Sequence, residues 1–326
     1  MASLLLTGAT GFLGKILYRE LSQHFEVTTL GRSADNALVV NLERDIPQFT
    51  NSFERVVHNA GMAHKIPRNT SESQLFYAVN YQGTLNLLKG LEGAPALPRL
   101  FVFISTVAVY GLESGENIDE QHPLSGTSPY AESKILAEAA IQQWCGERNV
   151  RCMILRLPLV VAPNPPGNLG AMIRAIRKGY YLAIRNNFAA KSMVGAQDVA
   201  AFLRSVSEVE SSSVSEVESG SVSEVESGSF AVQDGIYNLT DGIHPTFCEV
   251  EAVLEKVSGR KIRVRIPLWV ARVFGKCGDL MHKLGLPAPL TSDKLNKITT
   301  SLTFDDGKAR RELGWEPGAA LRDLVI

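Results

Sequence analysis

Short apolar runs alternate with helix-period segments through the first half of the chain. "SLLLTGA" (3–9), "EVTTLGR" (26–32), "ALVVNL" (37–42), "RVVHNAG" (55–61), "RLFVFIST" (99–106) and "CMILRLPLVV" (152–161) read as strands. Their apolar positions are contiguous rather than alternating, the pattern of strands buried on both faces. Between them "GKILYRELSQHF" (14–25), "FYAVNYQGTLNLLKGLEG" (76–93) and "PYAESKILAEAAIQQWCGE" (129–147) read as helices. Strands alternating with helices predict βαβ units and a parallel sheet, hence a doubly wound α/β fold.

Past Val161 the pattern changes. "APNPPGN" (162–168) is loop, "LGAMIRAIRKG" (169–179) a basic helix, "DVAAFLRSV" (198–206) a helix and "GIYNLTDG" (235–242) a strand entering a turn. From His244 onward the chain reads as mainly helical with short strands. The apolar run Pro267–Phe274 is closed by basic residues and glycine, and reads as the start of a packed helix; peripheral membrane contact is the alternative. No window approaches the ~20 uninterrupted apolar residues that a membrane span needs. The opening "MASLLLTGATGFLG" has no basic n-region, so no signal peptide is expected.

The charge of −1 conceals an asymmetry. Ser205–Ser229 is three copies of an eight-residue unit with six glutamates and no basic residue. Its valines are spaced three and five residues apart, and over eight residues a helix drifts by about 80°, so they share no face. Serine, glycine and mutually repelling glutamates predict a disordered insert. Without it the body carries 33 basic against 28 acidic residues, a net of +5, which suits an anionic small ligand and is too weak for nucleic acid. The four cysteines form no C-x-x-C pair and the six histidines are scattered singly. That reads as reduced thiols in the cytoplasm and no metal site.

"TGATGFLG" places Gly8, Gly11 and Gly14 between the first strand and the first helix. Glycines allow the backbone to turn and approach a pyrophosphate, which then rests on the helix N-terminus. A glycine pattern alone is weak; strand before and helix after supply the confirming context of a Rossmann dinucleotide site. The second strand ends "TLGRS", with Arg32 and no acid before Asp35. An arginine there suits the 2′-phosphate of NADP, an acid the ribose of NAD. NADP is therefore expected, with NAD possible, and a solvated loop is the other use of Arg32.

Tyr130 and Lys134 are four residues apart and share a helix face. Alone that spacing describes many surface pairs. With a dinucleotide loop upstream, and hydroxyls at Ser105 and Thr106 ending a buried strand, it becomes a candidate acid/base. A phenol titrates near ~10, and a neighbouring ammonium would lower that.

These motifs, with "VVHNAGMAH", "VNYQGTLNLL", "FISTVAVYG", "LRLPLVV" and "DDGKARRELGW", resemble the extended short-chain dehydrogenase/reductases of the NAD(P)-dependent nucleotide-sugar epimerase/dehydratase group. The resemblance covers nearly the whole chain apart from the repeat. It implies a dinucleotide-binding domain over 1–165 and 192–242, with the 205–229 insert, and a smaller, mainly helical substrate lobe over 166–191 and 243–326. It implies that Thr106 bonds the reacting oxygen, Tyr130 is the acid/base, and Lys134 holds the nicotinamide ribose and tunes Tyr130. Cofactor contacts are implied at Thr10, Phe12 and Leu13 within the glycine loop, and at Asn41, Leu42, Asn59, Ala60, Gly61, Ser105 and Pro158, with Asn80 supporting the water network beside them. Asn41 stands where the family more often has aspartate. For the diphosphate of a UDP-sugar substrate it implies Asn168, Lys191 (where arginine is more usual), and Lys297 with Lys294.

Three reactions use this tyrosine and lysine. A dehydratase of the family carries an acidic residue directly after the threonine, and here Val107 and Ala108 follow Thr106, so elimination is not expected. The segments 156–173, 191–194 and 297–306 most resemble bacterial UDP-4-keto-6-deoxy-N-acetylglucosamine 4-reductases of surface-polysaccharide synthesis. A UDP-hexose 4-epimerase is the alternative. A non-catalytic NADP-binding sensor and a reductase of lipophilic ketones stand behind both. Helices 78–91 and 129–146 are long, and the resemblance implies a homodimer formed through this pair.

Overall fold

A computed structural model of the chain describes residues 1–63, 67, 69–206, 234–283 and 290–324. The serine–glutamate repeat, from residue 207 onward, lies outside the described residues.

Among the described residues, seven strands form one parallel sheet. They are β1 (Ser3–Thr7), β2 (Glu26–Gly31), β3 (Leu38–Val39), β4 (Arg55–His58), β5 (Leu100–Thr106), β7 (Arg151–Leu157) and β11 (Gly235–Asn238), in the order β11-β7-β5-β4-β1-β2-β3. The order reverses between β1 and β4, which opens a crevice at their carboxyl ends. The expected double burial is literal in β1. Leu4 and Leu6 join the core on one side of the sheet, Leu5 joins the core on the other, and all three are fully buried. Truncating any of them to alanine would cost about 2–5 kcal/mol.

Helices α1 (Phe12–Leu21), α2 (Thr70–Phe76), α3 (Gly83–Glu92), α4 (Pro129–Arg148) and α6 (196–206) flank the sheet. Three details differ from the sequence pattern. β3 keeps only two residues of "ALVVNL". Pro158 divides "CMILRLPLVV" into β7 and β8 (Leu159–Val161), because proline cannot donate to a ladder. The long helix ahead of β5 begins at Thr70, capped by Asn69, and carries a π-helical segment, Tyr77–Gln82, in its middle.

β6 (Gly115–Ile118) pairs with β13 (Leu302–Phe304), β8 with β10 (Met193–Gly195), and β9 (Leu182–Ile184) with β12 (Val264–Ile266). With α5 (Gly167–Lys178), α7 (Phe247–Ser258), α8 (Leu268–Lys283), α9 (Ser292–Thr299) and α10 (Gly307–Leu313) they build the remainder. Ile173, Ile176, Val250 and Leu254 seal α5 to α7, and Ala271 and Leu295 seal α8 to α9. The run Pro267–Phe274 does start a packed helix, which meets the core through Leu268 and Ala271, but Trp269, Val273 and Phe274 on its other side are exposed.

Candidate active site

The ends of β1, β4 and β5 converge. Gly8 follows β1 with φ +71°, and a Cβ there would stand 2.7 Å from the amide nitrogen of Ala60. A Cβ on Gly14 would stand 1.9 Å from the Gly8 carbonyl oxygen, so α1 can approach the loop only without one. Gly11 caps α1, donates its N–H to Gly8 and, with Thr10, lies exposed at the helix N-terminus; Phe12 and Leu13 begin the first turn. This is a cradle that side chains would fill, with free amides facing outward, and it fits the pyrophosphate of a dinucleotide. Asn59, Ala60 and Gly61 run alongside: the Asn59 amide donates to the Gly8 carbonyl, and Ala60 N–H donates to the Thr7 hydroxyl.

Thr106 ends β5, and its hydroxyl accepts the Ala108 N–H at 3.2 Å. That bond starts the 3-10 turn Val107–Tyr110 and fixes the hydroxyl at the strand tip. "SPYAESK" is the start of α4. Ser128 is its cap, Pro129 occupies the first turn, and Tyr130 follows with a preset backbone. Tyr130 packs edge-on to Phe76 at 6.2 Å, with the Thr106 hydroxyl beside it. Burial raises its pKa above the ordinary phenol value, and the Thr106 hydroxyl partly offsets this. Here the structure departs from expectation: the phenol is held protonated. Lys134 does not counter the burial, because its side chain is directed elsewhere. Its ammonium is buried, donates to the Ile104 carbonyl at 2.7 Å, and sits 3.7 Å above the Phe103 ring. Desolvation lowers its pKa to about 7, against an upward pull from Glu138.

Asn80 lies in the π-helical segment, a form of backbone common at functional sites. Its side chain is fully engaged: it accepts the Met62 N–H at 2.7 Å and donates to the Met62 carbonyl and the Ser133 hydroxyl. Ser133 in turn donates to the Tyr130 carbonyl at 2.8 Å. Asn80 therefore holds the turn that carries Tyr130 and Lys134. Ser105 is directed elsewhere. Successive strand residues face opposite ways, and its hydroxyl meets buried Glu138 rather than the Thr106 side.

That contact opens onto a network the sequence reading missed. Glu138 is paired with buried Arg156 at 2.6 Å. Arg156 donates to the Tyr110 hydroxyl at 3.0 Å, which donates to Asn238 at 2.8 Å. An arginine inside the apolar run "CMILRLP" was the available signal, since a buried charge demands a partner. His58 is the second omission. It bridges Thr7 at 2.7 Å and Thr84 at 2.9 Å and stacks on Phe103. Burial, then the Lys134 charge, lower its pKa to about 3, so it is neutral.

At the far end of the crevice Arg32 pairs with Glu43 at 2.6 Å, which puts a carboxylate beside the arginine expected to meet a phosphate. Asn41 accepts the Glu43 N–H, and the Leu42 carbonyl accepts from Asn86. Pro158 is half-buried between β7 and β8, and Asn168 is exposed in the first turn of α5. Lys191 is half-buried with no ion pair among the described residues, and burial lowers its pKa. Lys297, by contrast, is bound by Asp293 at 3.0 Å and Glu113 at 3.4 Å, so its charge is already matched.

A profile described as NAD dependent epimerase/dehydratase family matches residues 4–209. The chain is 25% identical over 319 residues to the N-acetyl-alpha-D-glucosaminyl-diphospho-ditrans,octacis-undecaprenol 4-epimerase of Escherichia coli O157:H7, covering 94% of this chain and 88% of that one. It is 25% identical over 334 residues to the UDP-glucose 4-epimerase of Vibrio cholerae, covering 98% and 92%. Among solved structures, RMD from Pseudomonas aeruginosa complexed with NADPH superposes with a TM-score of 0.65 at 17% identity, covering 99% of this chain and 96% of that one.

Proposed function

The chain belongs to the NAD dependent epimerase/dehydratase family, and on that premise we propose that it reduces the C4 ketone of a UDP-4-keto-6-deoxy-hexosamine. What supports this reading is the juxtaposition of Thr106 at the tip of β5, Tyr130 in the first turn of α4 and buried Lys134 one turn further on. Ketone reduction must begin with a proton donor in place. When bound, a reduced nicotinamide supplies the hydride to C4. Thr106 donates toward the ketone oxygen and polarises it. Tyr130 gives its proton to the same oxygen as the alcohol forms, and takes one back from solvent. Lys134, one turn along α4, would hold the cofactor ribose only on leaving the Ile104 carbonyl to which it now donates. Val107 and Ala108 carry no group that exchanges a proton, so nothing beside Thr106 would eliminate water.

Lys191 and Asn168 hold the substrate diphosphate. A diphosphate is common to a nucleotide sugar and to the polyprenol-linked sugar of the E. coli relative's name, so this contact serves either carrier. The enzyme works in the cytoplasm as a homodimer through α3 and α4, whose shared groove exposes Leu136; a monomer mass by light scattering would refute the dimer.

A second reading, UDP-hexose 4-epimerase, is favoured by the Arg32–Glu43 pair and by the names of both relatives. A carboxylate at the adenosine end suits the 2′-hydroxyl of NAD, which an epimerase keeps and recycles. Purified protein with UDP-4-keto-6-deoxy-GlcNAc and NADPH separates the two. A reductase loses nicotinamide absorbance mole for mole with product. No loss, alongside interconversion of UDP-GlcNAc and UDP-GalNAc, would establish the epimerase instead.

A further inference from the structure

α8 packs inward through Leu268 and three small residues: Ala271, Gly275 and Gly278 are buried, and a Cβ on Gly275 would come within 3.3 Å of the Ser292 amide nitrogen. Its outward stripe is large. Trp269 is 68% exposed, Val273 54% and Leu280 61%, and these positions recur at the helical repeat along one line. Phe274, 49% exposed, widens the stripe to one side. Lys276 falls within it and Arg272 at its edge; both are exposed and make no ion pair among the described residues. Residues 260–283 contain seven lysines and arginines against one aspartate, and of the seven Lys261 and Arg265 are paired with Glu255 and Glu251 of α7. Just ahead of the helix in the chain, Val264 on β12 and its cross-strand neighbour Leu182 are exposed too.

We propose that this face of α8 docks on an anionic lipid bilayer, lying in the headgroup region with Trp269 and Leu280 inserted and Arg272 and Lys276 at the phosphates. An apolar face carrying one cation within it and one at its edge, on a helix of sixteen residues, is the composition of a surface-bound rather than a spanning helix. Among the described residues no helix is long and apolar enough to cross a membrane. These cations select an acidic surface over a neutral one, and over another copy of this same positive face, which would repel it. The inference is independent of which C4 reaction the enzyme performs.

The test is co-sedimentation of the full chain with vesicles of phosphatidylcholine alone or mixed with phosphatidylglycerol. The wild type is expected to sediment with the mixed vesicles only, and to be released by high salt. Trp269→Glu with Leu280→Glu should abolish sedimentation. Arg272→Gln with Lys276→Gln should weaken it roughly thirtyfold. Dinucleotide binding reports that each variant is folded, since none of these residues lies near the glycine loop in sequence. Wild type that stays in the supernatant with both vesicles overturns the proposal, as does binding that survives the glutamates. If Trp269→Glu splits a dimer while wild type ignores lipid, the face belongs to a second copy and the proposal also fails.

Discussion

Replacing Lys134 with methionine should remove activity and yet stabilise the apo protein at neutral pH. Methionine has a similar length and no charge to desolvate. The pKa of Lys134 falls from 10.5 to about 7 on folding, chiefly through burial. That shift corresponds to a penalty of roughly 5 kcal/mol for the protonated form in the fold. Between about pH 7 and 10.5 the unfolded chain binds the proton and the folded one does not, so stability rises with pH across that window and the penalty fades. Against this gain, the variant strands the buried Ile104 carbonyl, which costs about 1–3 kcal/mol at every pH. The net is a variant more stable than wild type by about 2–4 kcal/mol near neutrality, and less stable by about 1–3 kcal/mol above pH ~10.5. Urea unfolding of both proteins without cofactor, at the two ends of the window, reads the difference. A methionine variant less stable by the same amount at both ends would show that Lys134 is not desolvated, and the reasoning would fall.

Other changes act on the cradle, the adenosine end and the buried pair. Gly14→Ala places a Cβ 1.9 Å from the Gly8 oxygen; dinucleotide titration should show binding lost, with stability down by about 1–3 kcal/mol, and intact binding would contradict the tight approach of α1. Glu43→Gln releases Arg32, so the ratio of NADPH to NADH affinity should rise about tenfold by calorimetry; an unchanged ratio would remove Arg32 from cofactor choice. Glu138→Gln leaves the Arg156 charge buried and unpaired and should cost about 3–5 kcal/mol. Adding Arg156→Met should recover most of that in urea, and failure to recover would show that the pair is not the cause.

What the chain disclosed in advance was whatever follows from local pattern. Contiguous apolar runs marked β1, β4 and β5, and glycines at a strand–helix junction marked the cradle. Thr106, Tyr130 and Lys134 were legible because a strand tip and a capped helix start each have a signature. The direction of side chains was less so. Ser105 and Thr106 sit together in sequence, but a strand turns them to opposite faces, and Ser105 meets Glu138. Glu138, four residues beyond Lys134, drew no reading at all; only the sheet packing shows that Arg156 claims it. Likewise the ammonium of Lys134 was expected beside the phenol, and three-dimensional packing gives it the nearer carbonyl of Ile104. The apolar run of α8 was read as a packed helix start with membrane contact as the alternative; Leu268 and Ala271 do pack, and a contiguous apolar run carries no sign that Trp269, Val273 and Phe274 would face outward.

The most direct test of hydride transfer at C4 with Tyr130 as proton donor is a single-turnover rate, followed at the nicotinamide band, for wild type and Tyr130→Phe with saturating keto-sugar and deuterated NADPH. Wild type should place deuterium at C4. The phenylalanine variant should bind the dinucleotide unchanged but turn over about 10²–10⁴ times more slowly. A variant as fast as wild type, or product without deuterium at C4, would contradict the assignment.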